Sequence, residues 1–249
     1  MHWELLLFFG IISFVYASVG FGGASSYLAL LAVYQLPVYD MKLTALLCNI
    51  IVVTGGSILF TIHKQVNIKK ILPLIVLSVP MAYIGGKLKL SIDAFFLLLG
   101  CSLIAASLLM MLKTPKPEQP AHVGANQNLK SGLMGAAIGM LSGMVGIGGG
   151  IFLSPLLHLT RWDIPKKIAA AASLFILVNS VSGIAAHLSQ HHGMVNLRLI
   201  FFLCLSVLIG GQLGSRLGIK IFPQAIIRRV TAVLVLAAGV EVLYKHLHL

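Results

Sequence analysis

Long apolar runs, separated by short charged or proline-containing stretches, dominate the chain. Their bounds are 4–36, 44–62, 71–86, 94–112, 131–160, 169–186, 199–215 and 230–244. A helix crosses a bilayer with about 20 apolar residues, so these runs predict a bundle of membrane spans. The stretch 113–130, KTPKPEQPAHVGANQNLK, is polar and rich in proline. It predicts a solvated linker near the middle of the chain.

The composition agrees with a membrane location. Hydrophobic residues make up 58% and charged residues 10% of the 249 positions, too few polar side chains to cover a soluble fold. The net charge of +12 would suggest nucleic acid in a soluble protein. Here Lys and Arg fall between the apolar runs, where cytoplasmic loops collect them. We therefore predict no nucleic-acid partner.

The two halves of the chain resemble each other. The sequence GFGG at 20–23 matches GIGG at 146–149 with an offset of 126. Three further pairs recur in the same order: Gly56 and Gly183, Val-Asn at 66–67 and 195–196, and Ile-Gly-Gly at 84–86 and 209–211. Ordered matches of this kind predict an internal duplication, with repeats at 1–112 and 131–249 around the linker 113–130.

The glycines break the first and fifth runs into pieces too short to cross a bilayer. The pieces 4–18 and 24–36 would each rise about 20 Å as helix, against a hydrocarbon core of about 30 Å. Each broken run is either one interrupted span or a hairpin that enters and leaves on the same face. Single crossings divide the 18 Lys and Arg as 8 against 10, whereas hairpins place 13 on one side. The 13 are Lys64, Lys69, Lys70, Lys113, Lys116, Lys130, Arg161, Lys166, Lys167, Arg216, Lys220, Arg228 and Arg229.

This bias favours hairpins, because cytoplasmic loops are the positive ones. We predict an all-α polytopic membrane protein with six full spans, two glycine-broken re-entrant hairpins and an inverted internal repeat. Both termini are predicted outside and the linker in the cytoplasm. Inverted repeats place a binding site near the bilayer midplane, where the hairpin tips would meet.

The broken runs also carry the candidate chemistry. Glycine lets the backbone turn sharply and approach a ligand closely. The helices that begin near Ala24 and Gly150 would direct free N–H groups and positive dipole ends at an anion. The alternative is that the glycines only permit tight helix packing.

Polar side chains inside the spans would complete the shell of such an anion, although interhelical hydrogen bonding is an alternative role for each. Asn49 and Asn179 are the stronger candidates, because a buried amide is costly to leave unpaired. The predicted substrate-binding residues are Gly20, Gly22, Gly23, Ala24, Ser25, Asn49, Gly146, Gly148, Gly149, Gly150, Ser173 and Asn179. We predict no catalytic residue, metal or cofactor, and we expect the cysteines Cys48, Cys101 and Cys204 to be core or lipid-facing side chains.

The acidic residues lie at or near the ends of the runs, so no buried carboxylate relay for a coupling proton or sodium ion is visible. Export of an anion from a negative cell interior does not require one. Each exported charge gains about 2.3 kcal/mol per 100 mV of membrane potential.

The glycine-centred stretches resemble the TauE/SafE family of sulfite and organosulfonate exporters. The matching sequences are SVGFGGASSYLALL in the first half, and GMLSGMVGIGGGIFLSPLL and AAASLFILVNSVSGIAAH in the second. The resemblance implies a bacterial inner-membrane permease for sulfite, sulfoacetate or thiosulfate. It carries binding roles onto Gly20, Gly22, Gly23, Gly146, Gly148, Gly149 and Asn179. The tips differ, since Ala24 and Ser25 stand where the second half has Gly150 and Ile151, and Pro155 has no counterpart.

The predicted function is therefore export of a small sulfur-containing anion by rocking of the two halves, without enzymatic activity. A passive anion channel and a non-transporting membrane scaffold are the alternatives. The expected partners are the anion and the lipid bilayer, with a second copy of the chain left open.

Overall fold

A computed structural model describes residues 3–18, 20–112, 125–190, 196–218 and 224–247. All regular secondary structure in these ranges is helical. The helices are α1 Trp3–Ala17, α2 Ala24–Val33, α3 Val38–Ile62, α4 Ile68–Lys87, α5 Ile92–Met111, α6 Ala125–Val145, α7 Gly150–Leu159, α8 Pro165–Leu188, α9 Leu197–Leu213 and α10 Gln224–Leu247. A π-helical turn, Gly214–Gly218, continues α9.

Five helices of the described part are long and apolar enough to cross a membrane: α3, α4, α5, α8 and α9 with the start of its π-helical turn. The short apolar helices α1, α2 and α7 have 15, 10 and 10 residues. The prediction of an all-helical polytopic membrane protein is confirmed. The sixth predicted span, 230–244, lies within α10, a helix of 24 residues.

Several helices begin earlier than the apolar runs. Helix α3 begins at Val38, six residues before the run at 44–62. Its first turns include polar residues, so the apolar run does not mark the start of the helix. The Val-Asn pairs mark helix starts: the Asn67 side chain accepts from Lys70 N at 3.3 Å, and Asn196 accepts from Leu199 N at 3.1 Å. Helix α6 begins at Ala125, so 125–130 is helical rather than linker, and 113–124 lies outside the described residues.

Contacts between helix ends give the direction of each helix. The Lys70 ammonium at the start of α4 lies 2.9 Å from the Asp163 carboxylate, just before α8. The Tyr39 ring at the start of α3 stacks on His187 at the end of α8, with centroids 3.9 Å apart. Helices α4 and α8 therefore run parallel, and α3 runs against them. We call the end with loops 63–67 and 160–164 the linker end, and the end with loops 34–37 and 88–91 the terminal end.

The first helices of the two broken runs point in opposite directions. Helix α1 lies parallel to α9, with Gly10 against Gly210 and Phe14 against Gly214, so it runs toward the linker end. Helix α6 lies parallel to α4, with Gly135 against Leu74, so it runs toward the terminal end. Helices α2 and α7 then return to the ends from which α1 and α6 started. These directions support the predicted hairpins of opposite sense, whose place in a bilayer stays a prediction.

The helix contacts are also related by exchange of the two halves. Packing of α4 on α6 corresponds to packing of α9 on α1, and α3 on α9 corresponds to α8 on α4. The α3–α8 and α5–α10 pairs map onto themselves. A duplicated chain with a twofold relation between its halves produces this pattern.

The closest packing joins helices from different halves. An added Cβ on Gly135, Gly139 or Gly143 of α6 would overlap a backbone carbonyl of α4. On the other side of the bundle, Gly210 and Gly214 meet α1 in the same way. Small residues that let backbones touch are the usual interface of membrane helices. These contacts exchange helices between the halves, and we call the two groups the swapped bundles: bundle I contains α1, α3 and α9, bundle II contains α4, α6 and α8, and α3 packs on α8 between them.

Asp163 fixes the loop that closes the second hairpin. Burial opposes ionisation of its carboxyl, but hydrogen bonds from Lys70 and the Ile164 N–H, with the charges of Lys70 and Lys167, hold its pKa below the usual range. A lowered pKa in the folded state means that ionised Asp163 stabilises the fold above its unfolded pKa of about 3.9. That stability is lost as the pH falls through the folded pKa.

Asp163→Asn is expected to lower the melting temperature at pH 7, and the deficit should shrink below about pH 4. Melting of the purified protein in detergent across this pH range measures both effects. Asp93→Asn is the matched control, because that carboxylate is exposed at the start of α5. A deficit that is the same at every pH would contradict the assignment.

Candidate functional site

The first glycine segment, residues 20–23, is the first tip. Helix α1 ends with Gly20 N donating to Ala17 O at 3.1 Å and Phe21 N donating to Tyr16 O at 3.0 Å. Gly20 has a φ of 79°, the left-handed conformation that closes a helix in this way. A side chain at this position would strain the turn, so the sequence needs glycine here.

The second tip, residues 146–149, closes α6 in a similar way and then diverges. Gly146 has a φ of 87°, and Ile147 N donates to Ser142 O at 3.2 Å. Gly148 and Gly149 are also left-handed, with φ of 80° and 81°, whereas Gly23 of the first tip has a φ of −90°. The two tips share their helix caps and differ in the backbone that follows.

Both tips meet at Asn49, in the middle of α3. An added Cβ on Gly22 would overlap the Asn49 amide oxygen. Asn49 Nδ2 donates to Ser180 Oγ of α8 at 3.0 Å and to Ile147 O of the second tip at 3.4 Å. Asn49 and Ser180 are both fully buried. The structure therefore brings the first tip, the second tip, α3 and α8 together at one amide.

Asn49 Oδ1 is buried and has no hydrogen-bond partner among the described residues. A buried amide group without a partner costs about 1–3 kcal/mol, so a ligand that donates a hydrogen bond to Oδ1 would recover that energy. The two ends of an amide exchange by a 180° rotation, which would turn Nδ2 toward the first tip. The Ser180 hydroxyl can then donate to Oδ1, because a hydroxyl is both donor and acceptor.

Helices α2 and α7 begin directly after the tips. Their N-cap residues, Gly23 and Gly149, have no side chain to cap the free N–H groups. The first N–H groups of a helix have no partner within the helix, and they form a binding place for an anion. Ser25 near the start of α2 is buried, and its hydroxyl lies 3.3 Å from the Tyr16 phenol oxygen.

Other predicted residues support the tips. Ser173 Oγ donates to Gly20 O at 3.2 Å, which fixes the first tip to α8. Gly150 packs against the Ile176 side chain, and an added Cβ on Gly23 would meet the Tyr27 phenol oxygen at 2.6 Å. Ala24 is fully buried at the first position of α2.

Asn179 does not reach the tips. Its Nδ2 donates to Ser78 Oγ of α4 at 3.0 Å and to Phe175 O at 2.8 Å, so the side chain faces α4. Ser180, one position further along α8, contacts Asn49 instead. The binding role of Asn179 stays a prediction that these contacts do not support.

Lys42 is a residue that the sequence analysis missed. It lies one turn inside α3 and is 9% exposed, and its Cγ is 3.1 Å from the position of an added Cβ on Gly146. Its ammonium is 4.7 Å from the centroid of the Phe95 ring. Burial of a lysine charge is costly, and the cation–π contact with Phe95 and the C-terminal end of α6 offset part of that cost.

The cysteines are closer than their spacing suggested. Cys48 Sγ of α3 lies 3.9 Å from Cys204 Sγ of α9, and both thiols are free, as is that of the exposed Cys101. No group of three or more His, Cys, Asp and Glu side chains gathers in the described part of the chain.

Comparison with known sequences points to one family. The family model described as sulfite exporter TauE/SafE matches residues 5–242. The probable membrane transporter protein y4hK of Sinorhizobium fredii is 28% identical over 250 residues, covering 96% of this chain and 97% of the relative. YunE of Bacillus subtilis, also named a probable membrane transporter protein, is 28% identical over 221 residues, covering 81% and 80%. No solved structure matches the chain.

Proposed function

Because the chain belongs to the sulfite exporter TauE/SafE family, it is a membrane transporter, and we propose that it exports small sulfur-containing anions such as sulfite or sulfoacetate. The anion would bind between the two tips. The observation that carries this proposal is the meeting of Gly22, Ile147 and Asn49 at one buried point. There is no enzymatic step in the proposed mechanism.

The proposed site suits an oxyanion. The N-terminal ends of α2 and α7 offer N–H donors without capping side chains, and the Asn49 amide and Ser180 hydroxyl add neutral donors. Donors of this kind bind an anion more strongly in a low-dielectric surrounding than in water. Backbone at this depth is tolerated where protein or a cavity satisfies it, and the glycines provide the close approach.

The linker end of the fold is the proposed cytoplasmic end. The contact between Lys70 and Asp163 supports the topology that collects 13 of the 18 basic residues at that end. Positive loops are retained in the cytoplasm. The membrane potential would then favour outward movement of an anion by about 2.3 kcal/mol per charge at 100 mV.

Purified protein in proteoliposomes tests the function. Sulfite, sulfoacetate and thiosulfate are loaded inside, and efflux is followed with an applied potential, with protein-free vesicles as control. We expect saturable efflux of at least one of the three anions. Efflux that rises linearly with concentration would indicate a passive channel, and no efflux of any of them would contradict the proposal.

The swapped bundles favour a different motion from rocking of the sequence halves. If the halves moved against each other, α6 would slide on α4, where the glycines bring backbone against backbone. Packed interfaces of this kind resist continuous sliding. We propose instead that bundle I and bundle II move against each other at the α3–α8 contact, where Asn49 meets Ser180.

Cross-linking of Cys48 to Cys204 separates the two motions, because it ties a helix of the first half to one of the second half within bundle I. In a Cys101→Ser background, copper phenanthroline would oxidise the pair to a disulfide. We expect the cross-linked protein to keep its flux. The number of maleimide-reactive thiols measures the cross-link.

Cys204→Ser under the same oxidant is the control for damage elsewhere. Flux that disappears on oxidation and returns with a reductant would show that the halves themselves move. The swapped-bundle motion would then be wrong.

A further inference from the structure

Lys42 is a buried cation at the second tip. Of the Lys, Arg, Asp and Glu side chains that the structure describes, Lys42 and Asp163 are buried. Asp163 pairs with Lys70 and Lys167, whereas no ion pair in the described ranges includes Lys42. Lysine inside a membrane span usually pairs with a carboxylate or faces a transport pathway. A position on the pathway would therefore explain Lys42.

The position of Lys42 links it to the tip site. Lys42 and Asn49 are seven residues apart and share one face of α3, since seven residues make two helical turns. Lys42 lies against Gly146 and Asn49 against Gly148, so this face of α3 lies along the second tip from Gly146 to Gly148. A ligand held at the tip would lie beside the Lys42 side chain, which ends in a positive charge.

The first tip has no buried charge of this kind among the described residues. Ala169 of α8 stands against Gly20, in the place where Lys42 stands against Gly146. Helix packing therefore does not require lysine, since a methyl group fills the related position. The Phe95 ring holds the ammonium but does not neutralise it.

We propose that Lys42 is the counter-charge of the transported anion and makes the site select an anionic sulfonyl group over a neutral one. This inference rests on the proposed function, because it concerns the same site. The anion forms an ion pair with the Lys42 ammonium, as a carboxylate side chain would. The N–H groups of the tip then orient its oxygens.

Binding of two isosteric ligands tests the proposal. Thermal shifts give the Kd of methanesulfonate, which is anionic, and methanesulfonamide, which is neutral, for wild type, Lys42→Met, Lys42→Arg and Lys89→Met. Lys89 is exposed at the same end of the fold, so Lys89→Met removes an equal charge away from the tip. We expect wild type to prefer methanesulfonate at least about tenfold, which is about 1.4 kcal/mol.

Lys42→Met should lose most of this preference, while Lys42→Arg and Lys89→Met keep it. A structural role of Lys42 would lower the melting temperature without changing the ratio of the two Kd values. A folded Lys42→Met protein with the wild-type ratio overturns the inference and leaves the proposed function standing. If Lys42→Met does not fold, equal binding of both ligands by wild type overturns it. Wild type that binds and transports no sulfur anion overturns both.

Discussion

Gly22→Ala is expected to reduce anion flux about 5- to 150-fold. The new Cβ would overlap the Asn49 amide oxygen, so the amide must move and its hydrogen bond to Ser180 must break. Loss of a buried hydrogen bond costs about 1–3 kcal/mol, and each 1.4 kcal/mol is a factor of ten. Proteoliposome efflux measures the loss, and the melting temperature shows whether the fold survives.

Gly183→Ala is the matched control, because its added Cβ would meet the flexible Leu46 Cδ1 at 3.2 Å, away from the tips. The double variant Gly22→Ala/Asn49→Ala removes the overlap. We expect it to recover thermal stability but not flux. Recovery of flux in the double variant would show that Asn49 takes no part in binding and that Gly22 is needed only for packing.

The predictions from the sequence succeeded where a residue's role is local. Glycine at 20 and 146 predicted sharp helix ends, and both residues adopt the left-handed cap, because only the backbone at that point decides this. Asn67 and Asn196 marked repeated positions and are helix N-caps for a similarly local reason. Asn49 was chosen as a buried amide, and it lies between the tips.

The predictions were less successful where the rotation of a helix about its axis decides which neighbour a side chain faces. Asn179 and Ser180 are neighbours in sequence, yet one faces α4 and the other faces Asn49, and no sequence pattern fixes that rotation. Lys42 was missed for another reason. It looked like the charged edge of the run at 44–62, but α3 begins at Val38, four residues before Lys42, and carries the lysine into the bundle. The exchange of helices between the halves depends on long-range packing that the duplication alone does not specify.

Gly143→Ala is expected to destabilise the protein by about 1–2 kcal/mol and to reduce flux. Alanine favours an isolated helix by about 1 kcal/mol over glycine. Here the new Cβ would overlap Ala82 O and lie 2.8 Å from Gly86 N, and backbone atoms cannot swing aside. Overpacking of this kind costs about 1–3 kcal/mol or more, so the clash outweighs the propensity. Helix α6 would move away from α4 and carry the second tip with it.

Thermal melting and the monodisperse yield in detergent measure the effect. Gly132→Ala is the matched control on the same helix face, because its Cβ would meet the tip of the Leu77 side chain at 2.9 Å, and Leu77 is 40% exposed and free to swing toward lipid. Its gain in helix propensity should then dominate, and its stability should equal or exceed that of wild type. Equal melting temperatures of the two variants would mean that α4 and α6 are not packed backbone to backbone. In that case the swapped bundles would lose their physical basis, because the backbone contacts of Gly135, Gly139 and Gly143 are what bring α6 against α4.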